Sequence, residues 1–242
     1  MKLRLARALQ SQGFGSRKGC TLRVRRGEVR VQGVVCDDPE AEFDSGNLVF
    51  TLDGVDWPYR ERAYLAMHKP AGYECSHKPS HHPGVFSLLP APLLARGVQC
   101  VGRLDQDTSG LLLFTDDGAF QHRMISPKKR IAKRYRAECA EPVSDAQLDA
   151  LRQGVRLHDE PLPVMALAAW RIDTRRMCLS LAEGKYHQVK RMIAAAGNHV
   201  TALHREAIGG YRLPDDLPSG SWRWLDASDL LLLEQAWPSA TS

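Results

Sequence analysis

The spacing of apolar and polar positions changes more than once along the first sixty residues. Over residues 2–12, good helix formers carry Leu5, Ala6 and Leu9 on one side, and Gly13 ends the pattern. Ser16 stands where an N-cap opens a second helix running to Gly27. Val29-Arg30-Val31, the turn pair Gln32-Gly33, Val34-Val35 and later Leu48–Leu52 then switch to β-rich runs. Turn residues mixed with aromatics over Asp53–Tyr59 predict a short linker near 53–61, and a new β-like run starts at Tyr64-Leu65-Ala66-Met67. Beyond it, apolar strands such as Gly110–Thr115 and Met177–Leu181 alternate with helical stretches such as Asp145–Gln153, without an internal repeat. The expected class is α+β, with a small module on residues 1–60 and a larger mixed domain on 61–242.

Composition adds a core and removes several function classes. With 242 residues, 43% apolar and 25% charged, the chain has enough apolar side chains to fold as a globule. No run of eighteen apolar residues occurs, and Met1-Lys2-Leu3-Arg4-Leu5-Ala6-Arg7 is charged where a signal peptide needs an apolar stretch, so a soluble cytoplasmic protein is expected. Six cysteines lie scattered without a C-x-x-C pair, which fits a reducing compartment. The absence of a heptad or a long uniform apolar surface stretch predicts a monomer.

Charge is segregated. Nine cations (Lys2, Arg4, Arg7, Arg17, Lys18, Arg23, Arg25, Arg26, Arg30) face one acid, Glu28, within residues 1–35, whereas the whole chain carries only +5. A local cationic face of this kind suits a polyanion, because clustered cations release counterions when they meet phosphates.

Three segments carry candidate chemistry. Cys100–Gly118 places Gly102-Arg103-Leu104-Asp105 on a turn before a continuously apolar strand, so a polar loop is held by buried structure. Asp116 and Asp117 fit the simpler role of turn-capping acids. Glu183–Asn198 reads as a turn and a helix whose Val189, Met192, Ile193 and Ala196 form an apolar stripe; His187, Lys190 and Arg191 fall off it, as either a solvated face or a functional one. Between these, Ser126–Arg136 interleaves six cations with Tyr135, which suits phosphates plus a stacked base but also describes an exposed basic loop.

Gly13–Lys18, Arg25–Val31 and Gly33 resemble the S4 RNA-binding domain over about residues 1–52. This resemblance implies an S4-like (α-L) fold gripping RNA, with Arg17, Lys18, Arg25 and Arg26 among its contacts. Gly102–Asp105, Leu111–Gly118, Glu183–Met192, and Gly197–Val200 followed by Leu203–Gly210 resemble, in order, the motifs of the RsuA/RluB/RluE/RluF family of RNA pseudouridine synthases. That likeness spans nearly the whole chain, and Lys190, where large-subunit branches carry Arg, places it nearest the branch acting on small-subunit rRNA. It implies a catalytic domain with a largely antiparallel sheet. It also implies that Asp105, Tyr135 and Lys190 are catalytic, that Leu203 packs below the base, that Arg103 takes the space the base vacates, and that His187 and Arg191 bind substrate. The implied partner is 16S rRNA, free or within an assembling particle; 23S rRNA is the alternative.

The implied isomerisation breaks the C1′–N1 bond of uridine, turns the uracil and rejoins it through C5. Such a reaction needs no redox step or group donor, in keeping with a sequence that holds no cofactor fingerprint, and no cofactor is expected. It needs an ionised carboxylate, which a neighbouring cation such as Lys190 favours. Three other readings compete: a non-catalytic S4-type ribosome-binding protein, a glycosidase using Asp105 with Asp107, and a zinc site from Cys75, His77, His81 and His82. The polar neighbours of those histidines favour a substrate-facing loop over a metal, and no metal is expected.

Overall fold

The computed structural model describes residues 2–235, arranged in two compact units. Of the described residues, the first unit holds 2–63 with 89–99 and 115–117, so the division is not a single cut along the chain. It contains β1 (Lys2–Arg4), α1 (Leu5–Ser11), α2 (Arg17–Arg25), β2 (Val29–Val31), β3 (Val34–Val35), β4 (Glu42–Asp44), β5 (Val49–Leu52), β6 (Val55–Pro58) and α3 (Ala91–Ala95). Helix α2 begins as its sequence requires: the Ser16 side chain accepts the Gly19 N–H and closes the first turn. Leu5, Leu9, Val24, Val29 and Phe50 are fully buried, and Phe14 meets Phe50 and Trp57 edge-on at 5.3 and 5.2 Å.

Two expectations change here. The pattern over residues 2–12 becomes helical only at Leu5, because Lys2–Arg4 pairs antiparallel with Glu42–Asp44. The stretch expected as a linker contains β6, which turns back on β5 through Asp53 and Gly54, both at positive φ. Buried Gln12 ties the segments of this unit together. It donates to Arg60 O at 2.9 Å and accepts from Arg96 Nη1 at 2.7 Å, while Arg96 pairs with Asp116 at 2.6 Å.

The second unit is built on a nine-stranded sheet. Its elements are β7 (Tyr64–Lys69), β8 (Gln99–Val101), β9 (Thr108–Thr115), α4 (Gly118–Ile125), β10 (Lys133–Cys139), α5 (Asp145–Gln153), β11 (Ala168–Arg171), β12 (Arg176–Leu181), α6 (Gln188–Ala195), β13 (Val200–Ile208), β14 (Tyr211–Arg212), β15 (Trp222–Trp224) and α7 (Ala227–Glu234). The strand order is β11-β12-β10-β13-β9-β7-β15, with β14 on β13 and β8 on β9. Strand β10 runs antiparallel to β12 and β13, and β13 runs parallel to β9. The sheet is thus mixed but largely antiparallel, as expected for the larger domain.

Central β9 is buried almost throughout, which explains its unbroken apolar run. Gly110 is required there: a Cβ would stand 2.3 Å from Arg205 O on β13, and its φ is +108°. Leu111, Leu113, Phe120, Met124, Ile208, Tyr211 and Leu233 form the core on which the polar loops rest.

Candidate active site

The loop 102–107 between β8 and β9 is held from beneath. Lys69 ends β7 fully buried, and its ammonium lies 2.8–3.2 Å from four carbonyl oxygens, those of Pro70, Asp105, Gln106 and Thr108. Burial pulls its pKa below the ordinary lysine value, opposed by nearby acidic groups. The Thr108 N–H donates to Asp105 O at 3.1 Å and the Gly72 N–H to Gln106 O at 2.9 Å. The backbone under Asp105 is therefore fixed by a lysine and two amides, the preorganisation that a catalytic side chain needs.

The Asp105 carboxylate has two basic neighbours from the start of α6. His187 Nε2 lies 3.4 Å from Oδ1 and Lys190 Nζ 3.7 Å from Oδ2. His187 adopts the left-handed conformation, φ 46°, which ends the turn and opens the helix. Gln188, buried behind it, accepts the Lys185 N–H at 2.8 Å and donates to Glu183 at 3.2 Å, so the turn is braced from inside.

Lys190 divides its charge in a way the sequence does not disclose. Its shortest contacts, 2.5 and 2.7 Å, are to the two oxygens of Asp107 rather than to Asp105. Burial works to raise the Asp107 carboxyl, but the hydrogen bond and charge of Lys190 outweigh it and hold its pKa below the usual range. Asp107 is thereby engaged as the anchor of Lys190, an arrangement unlike two free glycosidase carboxylates.

A hollow of about 430 Å³ opens in front of Asp105, walled by Tyr135, Leu203, Arg103, Thr108 and His187. Tyr135 on β10 lies opposite Arg205 on β13, with Leu203 two residues away on the same face of the sheet, which is how they come to share a wall. The Thr108 hydroxyl is buried without a hydrogen-bond partner among the described residues. The sequence pairs Asp107 with Asp105 only as a second carboxylate and gives no sign of its contact with Lys190, nor of the place of Lys69, thirty-six residues away, beneath the loop.

Other expected residues lie elsewhere or are engaged. Arg191 pairs with Asp159 and donates to Tyr186 O at 3.1 Å, and it does not line the hollow. Lys185 pairs with Glu160 of the same acidic turn. Arg17, Lys18, Arg25 and Arg26 are exposed in the first unit, where Arg26 lies 3.9 Å from Glu28. In the loop of Cys75, His77, His81 and His82, the organising group is Glu74, whose carboxylate accepts the N–H groups of Ser80, His81 and His82 at 2.9–3.0 Å. His77 stacks on Phe86 at 3.6 Å. The Cys75 sulfur accepts the Leu104 N–H at 3.5 Å and a bond from the Cys100 thiol, which lowers its pKa to about 6 while that of Cys100 is pushed up. Among the described residues, no group of three or more His, Cys, Asp or Glu side chains is placed to hold a metal ion.

Comparison with known proteins converges on these same elements. A family model described as RNA pseudouridylate synthase matches residues 63–195. Ribosomal small subunit pseudouridine synthase A of Vibrio parahaemolyticus serotype O3:K6 is 35% identical over 94% of this chain and 98% of its own. The protein of that name from Escherichia coli strain K12 is 42% identical over 69% of this chain and 72% of its own. A solved crystal structure described as pseudouridylate synthase superposes with a TM-score of 0.68 at 32% identity, covering 96% of this chain and 99% of the other. The matched span includes the clamped loop of Asp105, the strand of Tyr135 and the start of α6, and on these grounds the chain belongs to the RNA pseudouridylate synthase family.

Proposed function

We propose that this enzyme converts a uridine of 16S rRNA to pseudouridine, with Asp105 as its catalytic carboxylate. The observation that carries the reading is that Asp105, Tyr135 and Leu203 wall one hollow, with His187 and Lys190 3.4 and 3.7 Å from the Asp105 oxygens. The small-subunit substrate rests on relatives that carry that activity in their names, matched over 94% and 69% of this chain.

A uridine stacked in RNA must leave its stack to reach this hollow, at a cost of about a few kcal/mol. Tyr135 offers the flat surface that replaces the lost stacking, and Leu203 the apolar floor. Arg103, at the rim, fills the gap left in the RNA. The C1′–N1 bond then breaks and C1′–C5 forms, and the proton lost from C5 is balanced by one gained at N1, so nothing is oxidised and no donor group is consumed. Asp105 acts on the nucleoside with His187 beside it while Lys190 balances its charge, and Asp107 keeps Lys190 in place. The first unit, with two helices followed by short strands and Arg17, Lys18, Arg25 and Arg26 exposed on or beside α2, acts as an S4-like module that holds the RNA backbone.

Because C5 loses its hydrogen, 16S transcript made with uridine tritiated at C5 reports turnover directly. About one equivalent of tritium per 16S molecule, and none from 23S, is the expected result. Release from 23S alone moves the substrate to the large subunit, and binding without release from either supports a non-catalytic S4-type protein instead.

A further inference from the structure

Beside the hollow of Asp105 lies a second one of about 520 Å³, which shares Arg103, Tyr135 and Gly184 with the first. Its remaining wall combines apolar side chains, among them Leu113, Ile125 and Ile208, with two cations, Lys133 and Arg205. Among the described residues, no carboxylate lines it. Arg205 is 2% exposed, its Nε donates to Leu111 O at 2.7 Å, and its Nη2 is buried without a hydrogen-bond partner among the described residues. Lys133, two residues before Tyr135 on β10, donates to the Ile131 carbonyl at 3.0 Å. A guanidinium donor left unmatched in the interior is costly, and a bound acceptor would offset that cost.

The shape and chemistry narrow the occupant. The second hollow opens directly beside the one facing Asp105, and three shared wall residues put it within reach of the next nucleotide in a chain. Its aliphatic walls suit the faces of a base better than a hydrated phosphate. Its polar groups at Lys133 and Arg205 are donors only, so they match a base edge that presents acceptors side by side.

We propose that this hollow is a second nucleobase subsite, taking the base next to the target uridine and favouring guanine, whose O6 and N7 are adjacent acceptors. Adenine presents an amino donor where guanine has O6 and is disfavoured by the same two cations. The proposal rests on the reading of the first hollow as the uridine site. Burial, with the charge of Arg205, brings the Lys133 pKa down to about 8, so it still carries its proton at neutral pH.

The test uses dinucleoside monophosphates, so that it depends neither on turnover nor on which rRNA is the substrate. UpG, GpU, UpA and ApU are titrated into the full-length protein by NMR, together with 7-deazaguanine versions of the first two. For one order of linkage, guanine is expected to bind about 5-fold or more tightly than adenine, the lower end for a bidentate contact, and loss of N7 to remove most of that gain. In Lys133→Met the preference is expected to shrink below about 2-fold while Tyr135-dependent binding of the uridine end persists. Equal affinities for guanine and adenine, no binding of either, indifference to N7, or a preference that survives Lys133→Met overturns the subsite. Failure of tritium release from rRNA would instead count against the proposed function and leave this titration readable; the 7-deaza comparison needs no variant to fold.

Discussion

Replacing Lys133 with methionine is expected to stabilise the protein at neutral pH. The side chain sits on β10 with one carbonyl partner, the Ile131 oxygen, no carboxylate partner among the described residues, and the Arg205 cation near it. Burial first, then that like charge, brings its pKa from 10.5 to about 8. At about 1.4 kcal/mol per tenfold change in proton affinity, the folded state holds the charged form at a cost of about 3 kcal/mol. Methionine keeps the length of the stem and forfeits one hydrogen bond of about 1 kcal/mol, leaving a net gain of about 1–2 kcal/mol. The pH dependence follows from linkage. Below about pH 8 both folded and unfolded states carry the proton, so the cost is constant. Between about 8 and 10.5 the unfolded chain binds more protons than the folded one, so wild-type stability rises with pH relative to Lys133→Met. Urea unfolding followed by circular dichroism at pH 7 and pH 10 measures both effects. A variant less stable than wild type at pH 7, or a difference that does not narrow at pH 10, would refute the reasoning.

Three other substitutions probe separate parts of the account. Lys69→Met takes the donor from four carbonyls, of which those of Asp105 and Gln106 keep an amide partner; a stability loss of about 2–5 kcal/mol and at least a tenfold fall in kcat, seen in urea unfolding and tritium release, are expected, and unchanged turnover contradicts the clamp. Gly110→Ala forces a Cβ to 2.3 Å from Arg205 O at a φ of +108°, which costs more than about 3 kcal/mol and is read as loss of soluble folded protein; normal yield and melting temperature would remove the close approach of β9 and β13. Changing Arg17, Lys18, Arg25 and Arg26 together to glutamine is expected to lower the slope of log affinity against log salt by about 3, at about 0.7–0.9 per phosphate contact, without altering kcat at saturating RNA; an unchanged slope in filter binding would take the RNA contact away from α2.

What could be read from the sequence was local. The Ser16 cap, the Val29–Val35 hairpin and the stripe of α6 are set by residues within a few positions of one another, and the structure has them where the pattern places them. The strand Lys2–Arg4 escaped because its partner is forty residues away, and its flanking helix formers continue the wrong period. Asp53-Gly54 between apolar residues is a hairpin turn pair, and it joins β5 to β6 within the stretch whose mixed aromatics suggest a linker. At the site, motif resemblance led to Asp105, Tyr135 and Leu203, which the fold brings to one hollow. It could not show that Lys190 rests on Asp107, that Arg191 is taken by Asp159, or that Lys69 holds the loop from below. Those pairings join a loop to a helix or a strand more than thirty residues away in the chain, and only the fold makes them neighbours.

The most direct test maps the product. Unmodified 16S and 23S rRNA are treated with wild-type protein or Asp105→Asn, derivatised with carbodiimide, which persists on pseudouridine, and read by primer extension. The account predicts one new stop in 16S with wild type and none with Asp105→Asn, although the variant still binds the RNA. A stop that survives Asp105→Asn, or no stop in either rRNA with wild type, would contradict it.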